Sequence, residues 1–504
     1  MLRPWELKVE IERQSGTAIH VQIAQKIIAD IQSGRFTPGV ALPGTRDLAS
    51  KIQVNRKTVI QAYDELIAQG WLTSEHKRGT FVSSRVLAVN HRSHKTQAPV
   101  PHPTYQAKHE LTHKKSPILN AVSTLNKRQM HDTIHFSDGL PDARLIPFEI
   151  LSRAMRHALI TSARKNKYCY GDPKGVLILR EALLQMLNME RGLHAKLDNI
   201  CITRGSQMAI FLVAKVFVQT SDYVVLEKLT NQLAREAFIS CGASILNVEH
   251  DDEGLNTEHL AQLCTQHKIR AVYVTPHHQI PTTVSISPSR RQQLIALAAQ
   301  YNFMIIEDDS DHEFNFSNHN TLPLASMQNA HHVVYIGSLS KALSPNFRLG
   351  YIVAPTEIIS QCANQINLID RQGDQITELA VAELLHLGEI KKQNLRTHKI
   401  YSERRTYIAD LINKELSEFV SFKLPHSGLA LWLEVCPTID MSKLLRDTKF
   451  AKVTVSTGAT FSNIGEHISA IRLGFANLNN DEISIGIMRL RAAFLNQQAK
   501  RLSA

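Results

Sequence analysis

Cysteine is scarce in this sequence: six in 504 residues, at positions 169, 201, 241, 264, 362 and 436. None stands in a CxxC pair or at a short zinc-like spacing, so no disulfide framework or zinc module is expected, and the thiols read as reduced and structural. Long apolar runs are missing too. No stretch reaches the length that spans a bilayer. The opening residues, MLRPWELKVEIERQ, scatter charge where a secretory signal has an apolar core. A cytoplasmic protein without membrane contact is the expectation. No internal repeat is present. The pairs His277-His278 and His331-His332 have no carboxylate at ligand spacing, and the "DHEF" at 311–314 is not a two-histidine metalloprotease motif, so no metal is expected.

What is present is an ordinary globular composition, 43% apolar and 20% charged, in a chain long enough for roughly two to four domains. The net charge of +11 is uneven. Residues 1–132 hold 19 Lys and Arg against 10 Asp and Glu, whereas the remainder holds 38 against 36. A basic front on a nearly neutral body points to a polyanion partner for the front alone, or to a solvated basic tail with no partner.

Three zones follow from the patterning. Residues 1–83 are compact and amphipathic. Residues 84–131 are rich in His, Lys, Pro and Gln with few apolar repeats, and read as a flexible basic linker. From 132 to 504 the chain alternates apolar runs with helical patterns. The runs "DYVVLEK" (222–228), "IRAVYVTP" (269–276), "NFMIIEDD" (302–309), "HVVYIGS" (332–338) and "GYIVAP" (350–355) are short and continuously apolar. That pattern predicts an α/β body with a mainly parallel sheet buried on both faces. Ligands of such sheets sit at the carboxyl ends of strands, and there the sequence collects Glu227, His277, His278, Asp308, Asp309 and Ser338.

In the first zone, "HVQIAQKIIADIQSG" sets Ile23, Ile27 and Ile31 on one helical face, with Gly34 as the stop. A second helix follows in "LPGTRDLASKI", with Thr45 as its expected N-cap. A third, "RKTVIQAYDELIAQG", opens at Asn55, Arg56, Lys57 and Thr58. "WLTSEHKRGTFV" then reads as two strands around a basic tip, Lys77-Arg78-Gly79. Helix, turn, helix and basic hairpin form a winged helix-turn-helix, which sets the later helix in the major groove with the wing beside it. A small helical domain without a nucleic-acid role is the alternative, but the basic residues cluster where docking needs them.

In the third zone, the residues match the needs of pyridoxal 5′-phosphate (PLP): an amine for a Schiff base, donors for a phosphate dianion, and a carboxylate for the pyridinium nitrogen. Lys341 supplies the amine in "GSLSKALSPNFRLGY" (337–351), with Ser338, Ser340 and Arg348 around it. Gly205-Ser206-Gln207 opens an apolar helix whose free amides suit an anion. Asp308 ends a strand where a carboxylate can hold the ring nitrogen protonated. Singly these are weak signals, since Ser-x-Ser-Lys is commonest as a surface turn. Their conjunction on one α/β body is specific.

Residues 16–83 resemble the DNA-binding domain of the GntR family. That resemblance implies promoter DNA as partner, with Arg46, Arg56, Thr58 and Gly79 contacting it; Asn55 stands where the family usually has serine. Residues 132–500 resemble the fold type I aminotransferases, through "YGDPKGVLILREAL" (170–183), "RGSQMAIFL" (204–212), "TPHHQIPTT" (275–283), "IIEDDSDHEF" (305–314) and "IRLGFANL" (471–478). The two together resemble the MocR family of regulators. The resemblance implies that Lys341 bonds PLP, Asp308 faces the pyridine nitrogen, and Ser206, Gln207, Ser338, Ser340 and Arg348 cradle the phosphate. It further implies that Tyr170 reaches the phosphate of a neighbouring subunit in a homodimer and that Arg472 receives an amino acid's carboxylate.

Four positions depart from the family pattern. Ser310 replaces the tyrosine that bonds the cofactor's phenolic oxygen, Ile280 an asparagine that shares this job, Asn231 an aromatic near the ring, and Thr283 a glycine. Leu233 stands where some relatives place an arginine for a second ligand carboxylate. The anchoring groups are thus retained and the tuning groups lost. The expected function is a DNA-binding regulator whose body binds PLP, or its amino-acid or amine adduct, as effector and dimerises. Two other functions stay open: a working aminotransferase with a DNA-binding appendage, and a cofactor-free dimerisation scaffold.

Overall fold

A computed structural model describes residues 11–12, 17–75, 78–84, 132–136, 139–164, 169–317 and 321–502. Its contacts separate two compact units, Met1–Lys114 and Lys115–Ala504. The expected linker lies outside the described residues except for Ser84, and so does Lys77 of the expected wing.

In the first unit, α1 (Ile19–Gln32), α2 (Thr45–Lys51) and α3 (Arg56–Ala68) pack beside an antiparallel hairpin of β1 (Leu72–Glu75) and β2 (Gly79–Val82). Ile23, Ile27, Ile31, Leu48, Val59, Tyr63, Leu66 and Val82 form one core. Gly34 ends α1 at φ +77°. Thr45 does not cap α2: Gly44 holds that position, and Thr45 is the first helical residue. Its hydroxyl accepts from Arg56 Nε at 3.4 Å, across the turn to α3. The cap that matters is Asn55, whose side chain accepts the Lys57 N–H at 2.9 Å. The wing is fastened to the chain before α2, since Leu42 N–H donates to Thr80 and Val82 N–H to Val40.

The second unit is built on a seven-stranded sheet. Its strands are β3 (Ile200–Thr203), β4 (Tyr223–Glu227), β5 (Ser244–Val248), β6 (Ile269–Val274), β7 (Met304–Asp308), β8 (Val333–Ser338) and β9 (Gly350–Val353), in the spatial order β3-β9-β8-β7-β6-β4-β5. Strand β9 is reversed, pairing antiparallel with both β8 and β3, while the other pairings are parallel. The expected run at 350–355 is therefore the one antiparallel member of a mainly parallel sheet. Strands β3 and β5 lay outside the expected set. β3 is only four residues long, and β5 is a half-buried edge strand whose "SILNV" lacks a continuous apolar run.

Apolar helices cover both faces. Helix α4 (Gly205–Phe217) buries Ile210, Leu212 and Val213 against Val224, Ile306 and Val334 on one face, and Leu294 and Ile295 meet Val225, Val272 and Ile305 on the other. A second, smaller antiparallel sheet follows, of β10 (Val420–Phe422), β11 (Ala430–Val435), β12 (Ser456–Thr457) and β13 (Ala470–Gly474). It carries Arg472 opposite Trp432 and Ser456.

Because Asn55 satisfies an otherwise unpaired amide of α3, Asn55→Ala should lower the stability of the first unit by about 1 kcal/mol. Differential scanning calorimetry of the full chain, following the transition of that unit, measures this.

Candidate cofactor site and nucleic-acid interface

The strand ends of the second unit converge on one site. Helix α4 begins directly after β3, with Gly205 at φ +78°. A Cβ on Gly205 would lie 2.8 Å from an Arg348 guanidinium nitrogen. A Cβ on Gly350 would lie 2.6 Å from the Gly205 carbonyl carbon and 2.8 Å from the Ser206 nitrogen. The start of β9 thus rests on the N-terminus of α4, and Arg348, itself at φ +47°, lies across it and donates to the Arg204 carbonyl at 3.3 Å. Free helix amides beside a guanidinium make a cradle for a dianion.

Ser338 and Ser340 are buried next to this cradle. Ser340 Oγ donates to the Leu349 carbonyl at 3.2 Å, and Ser338 Oγ accepts the Ser340 N–H at 3.1 Å. Ser206 is half-buried in the first turn of α4. Gln207 is turned aside, because its amide donates to the Leu233 carbonyl at 3.0 Å. Tyr170 is 73% exposed, and its ring lies under the Arg371 guanidinium at 4.7 Å.

Successive residues at a strand end face opposite ways, and the doubled aspartate ending β7 shows the consequence. Asp308 accepts from Tyr273 Oη at 2.8 Å and from Ser310 Oγ. Asp309 turns the other way and accepts from Tyr335 Oη at 2.8 Å and Arg191 Nη2 at 2.5 Å, and it contacts His277 Nδ1 at 2.7 Å. Burial raises the Asp308 pKa, and its two hydroxyl donors offset this only in part. At Asp309 burial acts the same way, but His277 and Arg191 outweigh it and hold the carboxyl well below the usual range. Asp308 is therefore a dry carboxylate with neutral donors, and a protonated ring nitrogen is the partner that it lacks.

Lys341 does not stand free. Its ammonium donates to Asp311, a residue that sequence reasoning passed over. The available signal was only positional, a third carboxylate after Asp308 and Asp309. Behind it, Arg472 is buried in β13 and has Nη2 3.4 Å from His278 Nε2. The His278 ring packs on Gly428 (φ +81°), where any Cβ would collide with it. Burial pushes the His278 pKa down to about 3, so the ring is neutral and can accept from Arg472.

Of the four departures, Ser310 bonds Asp308 and Asn231 caps the next helix, its side chain accepting the Leu233 N–H at 3.0 Å. Thr283 sits at φ +68°, which a β-branched residue rarely adopts. That turn is held by Gln279, which accepts from Thr282 N–H at 2.9 Å and donates to the Leu229 carbonyl at 2.6 Å. Gln279 is thereby committed to the turn.

In the first unit, Arg46, Asn55, Arg56, Lys57 and Arg78 are exposed and Thr58 is half-buried. Arg56, Lys57 and Thr58 form the first turn of α3. Arg78 pairs with Glu75 at 2.6 Å, and Gly79 takes φ +117° at the hairpin tip.

Residues 139–490 match the family described as aminotransferase class I and II, and residues 19–82 match the bacterial regulatory proteins of the gntR family. The chain belongs to the aminotransferase class I and II family. Its gntR-type front gives it the MocR-type architecture. It is 27% identical over 93% of its length to an uncharacterized HTH-type transcriptional regulator, YdfD, of Bacillus subtilis, covering 95% of that protein. It is 24% identical to the probable rhizopine catabolism regulatory protein MocR of Rhizobium meliloti, over 96% of this chain and 95% of that one. Among solved structures, a kynurenine aminotransferase of Pyrococcus horikoshii superposes with a TM-score of 0.69 at 28% identity, over 78% of this chain and 97% of that one.

The cofactor of this aminotransferase-like fold is PLP, and the residues fit it. The glycine-lined cradle is too tight for a Cβ, its helix amides and Arg348 are donors of the kind a phosphate needs, and Asp308 is a buried carboxyl met by hydroxyl donors, which a pyridinium N–H suits. When bound, PLP supplies an electron sink for bonds at the carbon beside an amine nitrogen. With PLP bound, the start of α4 and Arg348 would hold its phosphate, Asp308 would face the ring nitrogen, and Lys341 would offer its amine.

Gly350→Ala should weaken PLP binding roughly tenfold or more, because the new Cβ meets backbone that cannot yield. Absorption titration measures this. A second prediction concerns Glu227, buried at the end of β4 with Oε1 lacking a hydrogen-bond partner among the described residues and its pKa pushed up to about 8 by burial. Its folded pKa exceeds the unfolded value, so stability falls as pH rises from roughly 4.5 toward 8, by up to about 1.4 kcal/mol per unit. Glu227→Gln should therefore raise the thermal midpoint at pH 8 more than at pH 5.

Proposed function

We propose that this protein is a one-component transcriptional regulator that binds promoter DNA through its front unit and senses PLP, or its amino-acid or amine adduct, through its body. One observation carries this most directly: a single chain couples a capped, basic recognition-helix start at Arg56 to a Lys341–Asp308–Arg348 cofactor constellation. Arg46, Arg56, Lys57, Thr58 and the wing at Lys77, Arg78 and Gly79 contact DNA. Ser206, Ser338, Ser340 and Arg348 hold the phosphate, with Gln207 placing the helix start from behind. Arg472 receives the ligand's carboxylate or its substitute. The bodies pair as a homodimer, which brings Tyr170 to the partner's phosphate. Phe148, Leu159, Ile160, Leu177, Ile178 and Leu368 support the pairing, since all are exposed and apolar. The protein acts in the cytoplasm, where its DNA is.

Retention of Lys341, Asp308 and Arg472 favours partial transaminase chemistry as a second reading. Against efficient turnover stand Ser310, Ile280 and Asn231, since two of these side chains serve local backbone or carboxylate contacts and the third is aliphatic.

Arg56→Ala should weaken binding to the DNA upstream of the protein's own gene by roughly 1–3 kcal/mol and leave the cofactor's visible absorption unchanged. Lys341→Ala should abolish that absorption. A Lys341→Ala protein that kept the band would refute the cofactor assignment, and operator affinity unaffected by Arg56→Ala would refute the placement of the recognition helix.

A further inference from the structure

The amine of Lys341 already has a partner. Among the described residues its ammonium bonds the Asp311 side chain alone, and no other cation bonds Asp311. The pair is largely out of water, with the Lys341 side chain 21% exposed and that of Asp311 10%. Burial opposes the charge on Asp311, and Lys341 is the strongest of the influences that hold its pKa below the ordinary value. Nearby donors are committed elsewhere. Arg191 and His277 line a small cavity with Asp311, but both are turned to the Asp309 carboxylate, and His312 contacts the Asp309 carbonyl. The turn itself is anchored, since Ser310 bonds Asp308 and the Asp311 carbonyl accepts the N–H of buried Phe314 at 3.1 Å.

An aldehyde that bonds Lys341 must break this pair. The ammonium gives up one proton, its nitrogen forms a C=N bond to the aldehyde carbon, and the aldehyde oxygen leaves as water with the nitrogen's other two hydrogens. Asp311 is then left without its cation, as a buried carboxylate or as the acid formed by taking up that proton. Separating one partner from a buried ion pair is costly. A free primary amine reverses the cost. It enters as an ammonium and forms the C=N bond to the same carbon, while its three hydrogens pass to the Lys341 nitrogen, whose bond to that carbon breaks. Lys341 leaves as an ammonium, Asp311 regains its partner, and the exchange needs no other reactant.

We propose that Asp311 is a positioning residue for Lys341 that draws the lysine off the cofactor, so that the pocket holds PLP less firmly through its own amine and takes up a free primary amine more readily. The inference deepens the sensor reading above and rests on it. It gives that reading a direction, because the Lys341–Asp311 pair is whole in the amine-bound state and broken in the state with PLP alone.

The test uses the full-length protein loaded with PLP. It is mixed with methylamine over a range of concentrations and reduced with sodium borohydride, which fixes the cofactor to whichever nitrogen holds it. Intact mass spectrometry then reads the fraction of protein with the cofactor on Lys341. Asp311→Asn should need roughly tenfold more methylamine to halve that fraction. In the same variant the dissociation constant for PLP should fall roughly tenfold relative to that for 4-deoxypyridoxine 5′-phosphate, which has the ring and phosphate but no aldehyde. Asp311→Glu, which keeps the charge, should lie closer to the native protein in both measurements. Asp311→Ala is measured alongside in case the asparagine variant does not fold. A merely structural role would weaken PLP and methylamine together, whereas the proposal requires tighter PLP and weaker methylamine. Values that stay at the native level in both neutral variants, or that move in the same sense, overturn it. If the native protein develops no visible band with PLP and no borohydride-fixed mass on Lys341, the cofactor reading fails and this proposal with it.

Discussion

Two neighbouring carboxylates leave strand β7 in opposite directions, and most of the site is arranged by the different partners that meet each of them out of water. Asp309 is met by a cation from the end of one helix, a tyrosine from β8 and a histidine from the loop after β6. Those three donors come from three different elements, so satisfying one charge ties the sheet, its covering helix and the strand-end loop together. Among the described residues, Asp308 receives only hydroxyls. On the reading proposed above the asymmetry is functional: a charge already met by protein cations serves as an anchor, while a carboxyl met by hydroxyls would face the ring nitrogen of a cofactor. The turn that follows inherits its geometry from this division, which is why Asp311 arrives at Lys341.

The phosphate end depends on a different constraint, the absence of side-chain volume. Gly205 and Gly350 let the backbone of β9 touch the start of α4, and Arg348 closes the gap in a left-handed conformation. That approach requires β9 to run antiparallel between β8 and β3, since its chain must return from Lys341 toward the helix start. The reversed strand is therefore the element that joins the amine to the phosphate cradle.

Much of this was legible in the sequence. Five apolar runs marked five of the seven strands, because strands buried on both faces need continuous hydrophobicity. The strand direction of 350–353 was not legible, since an apolar run reads the same either way. β5 escaped because an edge strand is only half-buried. Anchoring residues were visible because PLP makes fixed demands on residue type. Contacts among the residues themselves were not: nothing in "EDDSD" says that Ser310 turns onto Asp308 and leaves Lys341 to Asp311. Gln207 is a similar case, matching a motif position while its amide serves the Leu233 carbonyl. Thr45 failed as a cap because the preceding glycine already supplies the extended conformation that entry into α2 requires.

Anchoring without tuning has a thermodynamic meaning for a regulator. A ligand alters DNA affinity only if it binds two states of the protein unequally, and the coupling is reciprocal. An enzyme that releases its product loses that bias at every turnover. On the reading proposed above, a site that keeps Lys341, Asp308 and the cradle at Arg348, yet spends Ser310 and Asn231 on local contacts, would hold its ligand for longer than it transforms it. The carboxylate at Asp311 gives Lys341 a hydrogen-bond partner within the protein itself. A sensor requires two states with different charge arrangements at the ligand site, and on the reading proposed above the Lys341–Asp311 pair is the arrangement that a bound ligand would have to replace.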